Sequence, residues 1–238
     1  MRLGKVRLGD SPVIAVSVSD RESEKIIRSM QLDLIEVRVD RFRNLAPVYV
    51  NRKIKKIGAA GAAMILTVRS VDEGGEKRIS DGEKLNIVRD NISLVDAIDI
   101  ELRSPIIAEV MKVTKKNKKK TIVSWHDLKF TPSDKKLTGI LYRAKKTGAD
   151  LIKIAARANS MEDLNRLMKF TVKNRSKNIV IISLGSLGSI SRVIFPRLGS
   201  LITYSYVSRP SGSGQIPLKE LRKYLRMSCS TKNIKPPH

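Results

Sequence analysis

The sequence predicts an α/β protein, and within that class a single-domain (β/α)8 barrel, or TIM barrel. Three observations favour it. Short apolar runs recur at intervals of about 20–30 residues, and most are rich in Ile and Val, as buried parallel strands are. Amphipathic helical patterns lie between the runs. Eight such runs in 238 residues suit one closed barrel. An open doubly wound sheet is the alternative, but no Gly-x-Gly-x-x-Gly follows the first run.

The elements follow one another in regular order. The predicted strands cover residues 13–18, 34–39, 64–68, 97–102, 121–125, 151–156, 179–184 and 201–207. Helices are predicted at residues 19–30, 80–95, 131–148, 160–172 and 217–227. Each of the first four begins at a Ser or Thr, whose hydroxyl accepts a hydrogen bond from the first helical turn. The last begins at Pro217, whose fixed φ suits the first position of a helix. The barrel domain therefore takes residues 13–227.

The two ends of the chain lie outside this pattern. Residues 1–12 precede the first strand and are expected to cover the floor of the barrel. Residues 228–238 contain Pro236-Pro237 and are expected to form a frayed tail. The N-terminus lacks the apolar stretch of a signal peptide. The longest weakly polar run, residues 59–68, is far shorter than the roughly 20 residues that cross a bilayer. A cytoplasmic protein without membrane contact is therefore expected.

Lysine and arginine outnumber acidic residues by 47 to 23, which gives a formal net charge of +24. Binding of nucleic acid is one explanation, because a basic surface attracts polyanions of any sequence. The charge is spread over helix-like segments, however. The densest run, residues 115–120, falls between a helix and a strand and has no interleaved aromatic side chains of the kind that single-strand binders use. A lysine-rich solvated shell is favoured, and no specific nucleic acid is expected.

Polar side chains on the predicted strands share one parity. In the second strand Glu36 and Arg38 alternate with aliphatic residues, and the other strands repeat this split. In a barrel one parity faces the axis and the other meets the helices. Since the aliphatic set must pack on helices, the polar set is expected to point inward, where it is costly unless the charges pair and serve a site. The inward charged set is Glu36, Arg38, Arg69, Asp99, Glu101, His126 and Lys153.

Two residues of this set suit acid–base and nucleophilic chemistry. His126 and the C-terminal His238 are the only histidines, so His126 is the candidate proton carrier near neutral pH. Lys153 is flanked by isoleucines, and beside Arg69 its ammonium form is expected to be disfavoured, which frees the amine to attack a ketone or aldehyde. Several arginines imply an anionic substrate. With one usable histidine and the single Cys229, no metal site is expected.

At this point the residues resemble a known family, the type I 3-dehydroquinate dehydratases. The resemblance covers the chain from about residue 13 to 221, and its strength comes from the order and spacing of the motifs. The motifs are Glu36-Val37-Arg38-Val39-Asp40, Thr67-Val68-Arg69 with Glu73-Gly74-Gly75, Ser124-Trp125-His126-Asp127, Lys153-Ile154-Ala155, Ser191-Arg192 and Gly214-Gln215.

The resemblance implies a (β/α)8 barrel enzyme of the shikimate pathway that removes water from 3-dehydroquinate, is usually a homodimer and needs no cofactor. It also implies roles for individual residues. Lys153 falls on the Schiff-base lysine, His126 on the general acid/base, and Glu73 on the carboxylate that positions the histidine. The implied substrate-binding residues are Ser17, Glu36, Arg38, Arg69, Arg192, Ser211 and Gln215, with Arg192 on the substrate carboxylate.

Two other functions stay open on the residues alone. A class I aldolase-type barrel would share Lys153 but would bind phosphate rather than a carboxylate, so activity on phosphorylated sugars separates it. A basic nucleic-acid-binding protein built on a barrel is the second, and the dependence of nucleic-acid binding on salt separates that one.

Overall fold

The computed structural model describes residues 1–227, and the predicted frayed tail at 228–238 lies outside the described residues. The strands of the barrel are β1 (Val13–Val18), β2 (Leu34–Arg38), β3 (Ala63–Thr67), β4 (Ala97–Glu101), β5 (Lys120–Asp127), β6 (Leu151–Arg157), β7 (Ile179–Leu184) and β8 (Ile202–Tyr206). The helices are α1 (Glu24–Ser29), α2 (Pro47–Gly58), α3 (Asp81–Asn91), α4 (Ile107–Lys116), α5 (Asp134–Lys146), α6 (Met161–Asn174), α7 (Gly188–Leu198) and α8 (Leu218–Met227).

All eight strands are parallel neighbours in the order β8-β1-β2-β3-β4-β5-β6-β7. The ends of this row meet beside Ile179, whose carbonyl accepts a hydrogen bond from the Leu201 N–H at 2.9 Å. Ser200 Oγ accepts a second one from the Ile181 N–H at 2.9 Å. A short strand, Ile216–Pro217, adds to β8 outside the barrel. The predicted (β/α)8 architecture is therefore confirmed.

The predicted helix starts at Ser80 and Ser160 agree with the structure, whereas the helix predicted from Thr131 begins at Asp134 after a cap at Ser133, and the first and last helices also begin later than predicted. Ser80, Ser133 and Ser160 each accept a hydrogen bond from the first turn of α3, α5 and α6, and Ser80 with Glu83 completes a capping box. The predicted run to residue 95 ends earlier, because α3 stops at Asn91 and a 3-10 turn, Ile92–Leu94, follows.

The predicted cap at Ser19-Asp20 is wrong. The Ser19 hydroxyl donates instead to the Glu22 carboxylate at 2.9 Å, and the Asp20 carboxylate accepts from the Tyr49 hydroxyl at 2.8 Å. Both side chains are thus held by other partners, and α1 begins only at Glu24. At the other end of the chain, Pro217 pairs with β8 and the last helix begins one residue later.

The parity of the strands divides the core in two. Ile35 and Val37 of β2 belong to the apolar layer between the strands and the helices, whereas Leu34 belongs to a separate cluster inside the barrel. Leu3, from a hairpin that joins Arg2–Leu3 to Val6–Arg7, is fully buried in that inner cluster. Beyond it most inward side chains are polar, as the parity predicted, whereas Ile182 and Leu184 of β7 are apolar. Within residues 1–227 no helix is long and apolar enough to cross a membrane.

Candidate active site

A cavity of about 320 Å³ opens at the carboxyl ends of the strands, where barrels of this type place their active sites. It brings together nine of the ten site residues that the sequence predicted. These are Glu36, Arg38, Arg69, Glu73, His126, Lys153, Arg192, Ser211 and Gln215. The tenth, Ser17, does not line the cavity but lies behind Glu36, to whose Oε2 its hydroxyl donates a hydrogen bond at 2.5 Å.

Lys153 lies in the middle of β6 and is 4% exposed. Its Nζ is 3.2 Å from Glu36 Oε1 and 3.1 Å from Asp99 Oδ2. Burial alone would lower the pKa of Lys153, but Asp99 and Glu36 outweigh burial and hold the pKa above its ordinary value. The prediction that the ammonium form is disfavoured in the free protein is therefore wrong. The reason is that two carboxylates, those of Asp99 and Glu36, lie within 3.2 Å of the ammonium.

Arg69 organises the floor of the site through charged hydrogen bonds. Its guanidinium donates to Asp99 Oδ1 at 2.8 Å, to Glu101 Oε1 at 3.0 Å and to Ser124 Oγ at 2.7 Å. Burial would raise the pKa of Asp99, but Arg69 and Lys153 hold that pKa far below its ordinary value. Asp99 therefore stays ionised and fixes the position of the lysine between two strands.

Arg38 is held in a similar way. Its Nε and Nη2 donate to the two carboxylate oxygens of Asp40 at 2.9 and 2.8 Å, which is the bidentate geometry that guanidinium and carboxylate prefer. This pairing fixes the guanidinium plane at the edge of the cavity.

His126 and Glu73 form a hydrogen-bonded pair. Glu73 Oε2 is 2.8 Å from both the backbone N and the Nδ1 of His126. Burial, with Arg69 and Lys153, lowers the pKa of His126 well below its ordinary value, so the ring is neutral. Burial raises the pKa of Glu73 to about 7, against the opposing effect of Arg69 and Arg103. With Glu73 ionised, the ring proton lies on Nδ1 and Nε2 is left as a base.

Arg192 differs from the other cations of the site. It lies in α7, is 2% exposed and lines the cavity, yet no acidic side chain within residues 1–227 forms an ion pair with it. Its Nε has no hydrogen-bond partner in the same part of the chain. Burial lowers the pKa of Arg192 to about 10, which still leaves it charged at neutral pH. A buried guanidinium without a counter-ion is a ready site for an anion.

The loop after β8 closes one side of the cavity. Gln215 Nε2 donates to Ser211 Oγ at 2.9 Å, and Gln215 Oε1 accepts from the Ser211 N–H at 2.6 Å. Gly214 has a φ of +77°, and a Cβ there would lie 2.7 Å from the Cα of Gly188 at the start of α7. Only glycine allows this approach, which holds both Ser211 and Gln215 against the mouth of the barrel.

The sequence interpretation missed two contributors. Arg103 donates to Glu73 Oε1 at 2.9 Å and to the His126 carbonyl at 2.7 Å, and it continues the parity of Asp99 and Glu101 beyond the end of β4. Tyr204 lines the cavity from β8, with its ring centroid 4.1 Å from Lys153 Nζ. In both cases the parity of the strand was the signal. Among residues 1–227 no group of three or more His, Cys, Asp or Glu side chains is placed to hold a metal ion.

A parallel barrel whose polar interior ends in a buried lysine, a neutral histidine and a free guanidinium defines a (β/α)8 barrel enzyme. Comparison with known proteins gives the family. The model of the type I 3-dehydroquinase family matches residues 12–232, and the chain belongs to that family. The resemblance predicted from the motifs is thereby confirmed.

Individual relatives cover almost the whole chain. The 3-dehydroquinate dehydratase of Hydrogenobaculum sp. (strain Y04AAS1) is 37% identical over 219 residues, 90% of this chain and 97% of the relative. That of Methanocella arvoryzae is 34% identical over 216 residues, 91% of this chain and 96% of the relative. A crystal structure of the type I 3-dehydroquinate dehydratase of Clostridium difficile with covalently modified comenic acid has a TM-score of 0.88 and 30% identity, covering 97% of this chain and 98% of that one.

Proposed function

We propose that this protein converts 3-dehydroquinate into 3-dehydroshikimate and water in the shikimate pathway, through an imine on Lys153 with His126 as general acid and base. One observation carries the proposal: the family assignment falls on a chain whose cavity holds Lys153, His126 and an unpaired Arg192 together. The substrate has a ketone for the lysine, an acidic proton for the histidine and a carboxylate for the arginine.

The charged state of Lys153 suits imine formation. When a ketone condenses with an ammonium group, the products are a protonated imine and water, so the positive charge on Nζ is conserved. Glu36 and Asp99, at 3.2 and 3.1 Å from Nζ, stabilise that charge before and after the reaction. The amine must lose a proton only while it attacks the ketone, and the neutral His126 can take that proton and return it to the departing oxygen.

The elimination uses the histidine twice. Nε2 of His126 removes the proton from carbon 2 of the imine, which gives an enamine, and then donates that proton to the hydroxyl leaving carbon 1 as water. Glu73 holds Nδ1 at 2.8 Å and stabilises the imidazolium that exists between the two steps. A second water molecule then hydrolyses the imine and releases the conjugated product with the lysine as ammonium.

Substrate orientation falls to the remaining residues. Arg192 binds the carboxylate, and Glu36, Arg38, Arg69 and Gln215 hold the ring hydroxyls and shape the field around them. Ser17 acts through Glu36, whose carboxylate it holds in place. Ser211 acts through Gln215 in the loop.

The test combines turnover with trapping. Purified protein incubated with 3-dehydroquinate should produce the ultraviolet absorbance of the conjugated ketone. Borohydride added during turnover should reduce the imine and fix the ligand to the peptide that contains Lys153, which mass spectrometry identifies. Turnover should survive dialysis against a chelator, because the chemistry requires no metal or other cofactor. An adduct on a different lysine, or no adduct during turnover, would rule out the imine on Lys153.

We propose in addition that the protein works as a homodimer in the cytoplasm, as the family resemblance implies. Light scattering during size-exclusion chromatography should give twice the 26.6 kDa mass of one chain, and cell fractionation should recover the activity with the cytoplasmic enzymes.

A further inference from the structure

Tyr204 has an unusual position on β8. Its side chain points to the interior of the barrel with that of Ile202, it is 2% exposed, and it lines the cavity beside Lys153 and Arg192. The face of its ring lies 4.1 Å from Lys153 Nζ, close enough for a cation–π interaction. The ring therefore already has a partner.

The hydroxyl of Tyr204 is buried, and no group within residues 1–227 meets it with good hydrogen-bond geometry. The Lys153 ammonium is near enough to interact with it electrostatically, but that ammonium already lies 3.2 Å from Glu36 Oε1 and 3.1 Å from Asp99 Oδ2. The neighbours of Tyr204 on the opposite face of β8 are satisfied, since Thr203 Oγ1 donates to the Arg192 carbonyl at 3.0 Å and Ser205 Oγ to the Ile216 carbonyl at 2.7 Å. A buried hydroxyl without a partner is costly, and such groups in native proteins call for an explanation.

A bound ligand would explain the unpartnered hydroxyl, as the positions of the other unpartnered buried side-chain atoms among the described residues show. Only two of them belong to residues that line the cavity, Arg192 Nε and the Tyr204 hydroxyl. These are a cationic donor and a phenol that both donates and accepts. The bound molecule that satisfies both must carry an anionic group with a hydroxyl or a second acceptor close to it, as a ring that bears a carboxylate and an adjacent hydroxyl does.

We infer that Tyr204 is a further substrate-binding residue, whose hydroxyl exchanges a hydrogen bond with the bound cyclic hydroxy acid beside Arg192. The inference rests on the proposed function for the identity of that acid. The inference gives the ring and the hydroxyl of Tyr204 different roles. The ring face stabilises the charge on Lys153 Nζ, and the hydroxyl selects for a polar group on the ligand.

The experiment removes the hydroxyl and keeps the ring. Tyr204→Phe should raise KM for 3-dehydroquinate about tenfold, with kcat within about twofold. The dissociation constant of the product 3-dehydroshikimate, measured by calorimetry, should rise by a similar factor. The ligand-free Tm should not fall, because the variant loses only an unsatisfied group. Tyr206→Phe is the matched control, since Tyr206 lies two residues along the same strand and lines a different cavity. Its KM should be that of the parent protein.

The outcomes separate the two proposals. If the parent protein turns over 3-dehydroquinate and Tyr204→Phe has the same KM as Tyr206→Phe, the hydroxyl does not bind substrate and the inference is wrong while the proposed function stands. A lower ligand-free Tm with unchanged KM would overturn it too, by showing a structural role. If the parent protein neither binds nor converts 3-dehydroquinate, the proposed function is wrong and the assignment of Tyr204 to this ligand fails with it.

Discussion

The two ends of the barrel interior differ sharply although the same strands build both. At the amino ends the inward residues are apolar, and Leu34, Ile65 and Ile122 pack there against Leu3 of the hairpin. Two to four residues further along the same strands the inward positions hold Glu36, Asp99, His126 and Lys153 instead, each buried to nine-tenths or more. Only β7 stays apolar throughout, with Val180, Ile182 and Leu184.

The difference shows how one parity serves two purposes. The apolar end removes hydrocarbon surface from water and so stabilises the barrel. The polar end is expensive, because buried ions contribute little net stability even when paired, as Arg69 is with Asp99 and Glu101. The cost is tolerable because the apolar end lies in the same barrel. Substitutions at the polar end should therefore mainly lower activity, and substitutions at the apolar end should mainly lower stability.

The largest effect is expected for Lys153→Met. This variant removes the nucleophile, so turnover should fall by more than about 10⁴-fold and borohydride should add no ligand mass. It also leaves Glu36 and Asp99 without their shared cation, so the Tm should fall. Lys145→Met, at an exposed position of α5, is the control and should retain both activity and Tm. Trapped ligand in Lys153→Met would contradict the assignment.

His126→Ala should have the next largest effect and separates binding from proton transfer. The rate constant should fall by about 10²–10⁴-fold, the range for general acid–base catalysis. Imine formation should persist at a reduced rate because Lys153 and its two carboxylates remain, so borohydride should still trap a ligand adduct. Rapid-quench mass spectrometry measures this directly. Turnover near that of the parent protein would remove His126 from the mechanism.

Ile65→Ala probes the apolar end. Ile65 is fully buried in the inner cluster, two residues before Thr67 on the same strand. Truncation of its side chain therefore leaves a cavity below the site. The free energy of unfolding should fall by about 2–5 kcal/mol. At a temperature where the variant is folded, kcat/KM should stay within about threefold of the parent value, since no polar contact of the site is lost. A stable variant with a large loss of activity would show that the two ends are not separable.

The sequence predicted the strands and the inward parity because both depend on local patterns, an Ile- and Val-rich run and an alternation of period two. What it could not predict depends on partners from elsewhere in the chain. The first helix starts late because Glu22 and Tyr49 occupy Ser19 and Asp20. Parity places Lys153 inside the barrel but does not say which residues surround it.

The register across three strands decides that question for Lys153, and it brings two carboxylates rather than Arg69 to the ammonium. Arg103 was missed for a related reason. It continues the parity of Asp99 and Glu101, but it lies beyond the end of β4, where strand pairing no longer enforces that parity. Its contacts with Glu73 and His126 establish its position in the site. Long-range neighbours are the part of the site that a single sequence does not contain.

Arg103→Met, at the polar end, should change the pH dependence of kcat rather than the maximum value of kcat. Glu73 must be ionised to keep the His126 proton on Nδ1, so activity should rise with pH through the pKa of Glu73, about 7. Arg103 lowers that pKa, and without its charge the pKa rises and the acid limb of kcat moves to higher pH, by about one unit because the arginine is half exposed and screened. Arg103→Lys should move it less. An unshifted profile would show that Arg103 does not tune the pair.

The smallest effect is expected in the loop at residues 208–215, which is rich in Gly and Ser and lies at the polar end. The mutual hydrogen bonds of Ser211 and Gln215 hold it at the cavity, and a bound ligand that engages Gln215 should order it further. Saturating 3-dehydroshikimate should therefore lower hydrogen exchange across residues 208–215, as measured by mass spectrometry. Exchange across the hairpin at residues 2–7, at the other end of the barrel, is the internal control and should not change.

Gln215→Ala should raise KM about threefold to tenfold through the loss of one or two hydrogen bonds, and it should weaken the ligand's protection of residues 208–215 from hydrogen exchange. Arg192→Ala should raise KM more, since it leaves the substrate carboxylate without its cation in a buried site. The order of the two KM increases matters as much as their sizes. A loop that only covers the cavity contributes by excluding water, whereas Arg192 contributes a full charge to substrate binding. Equal hydrogen exchange across residues 208–215 with and without the ligand would show that the loop is an ordinary surface connection and that the polar end binds substrate as a rigid site.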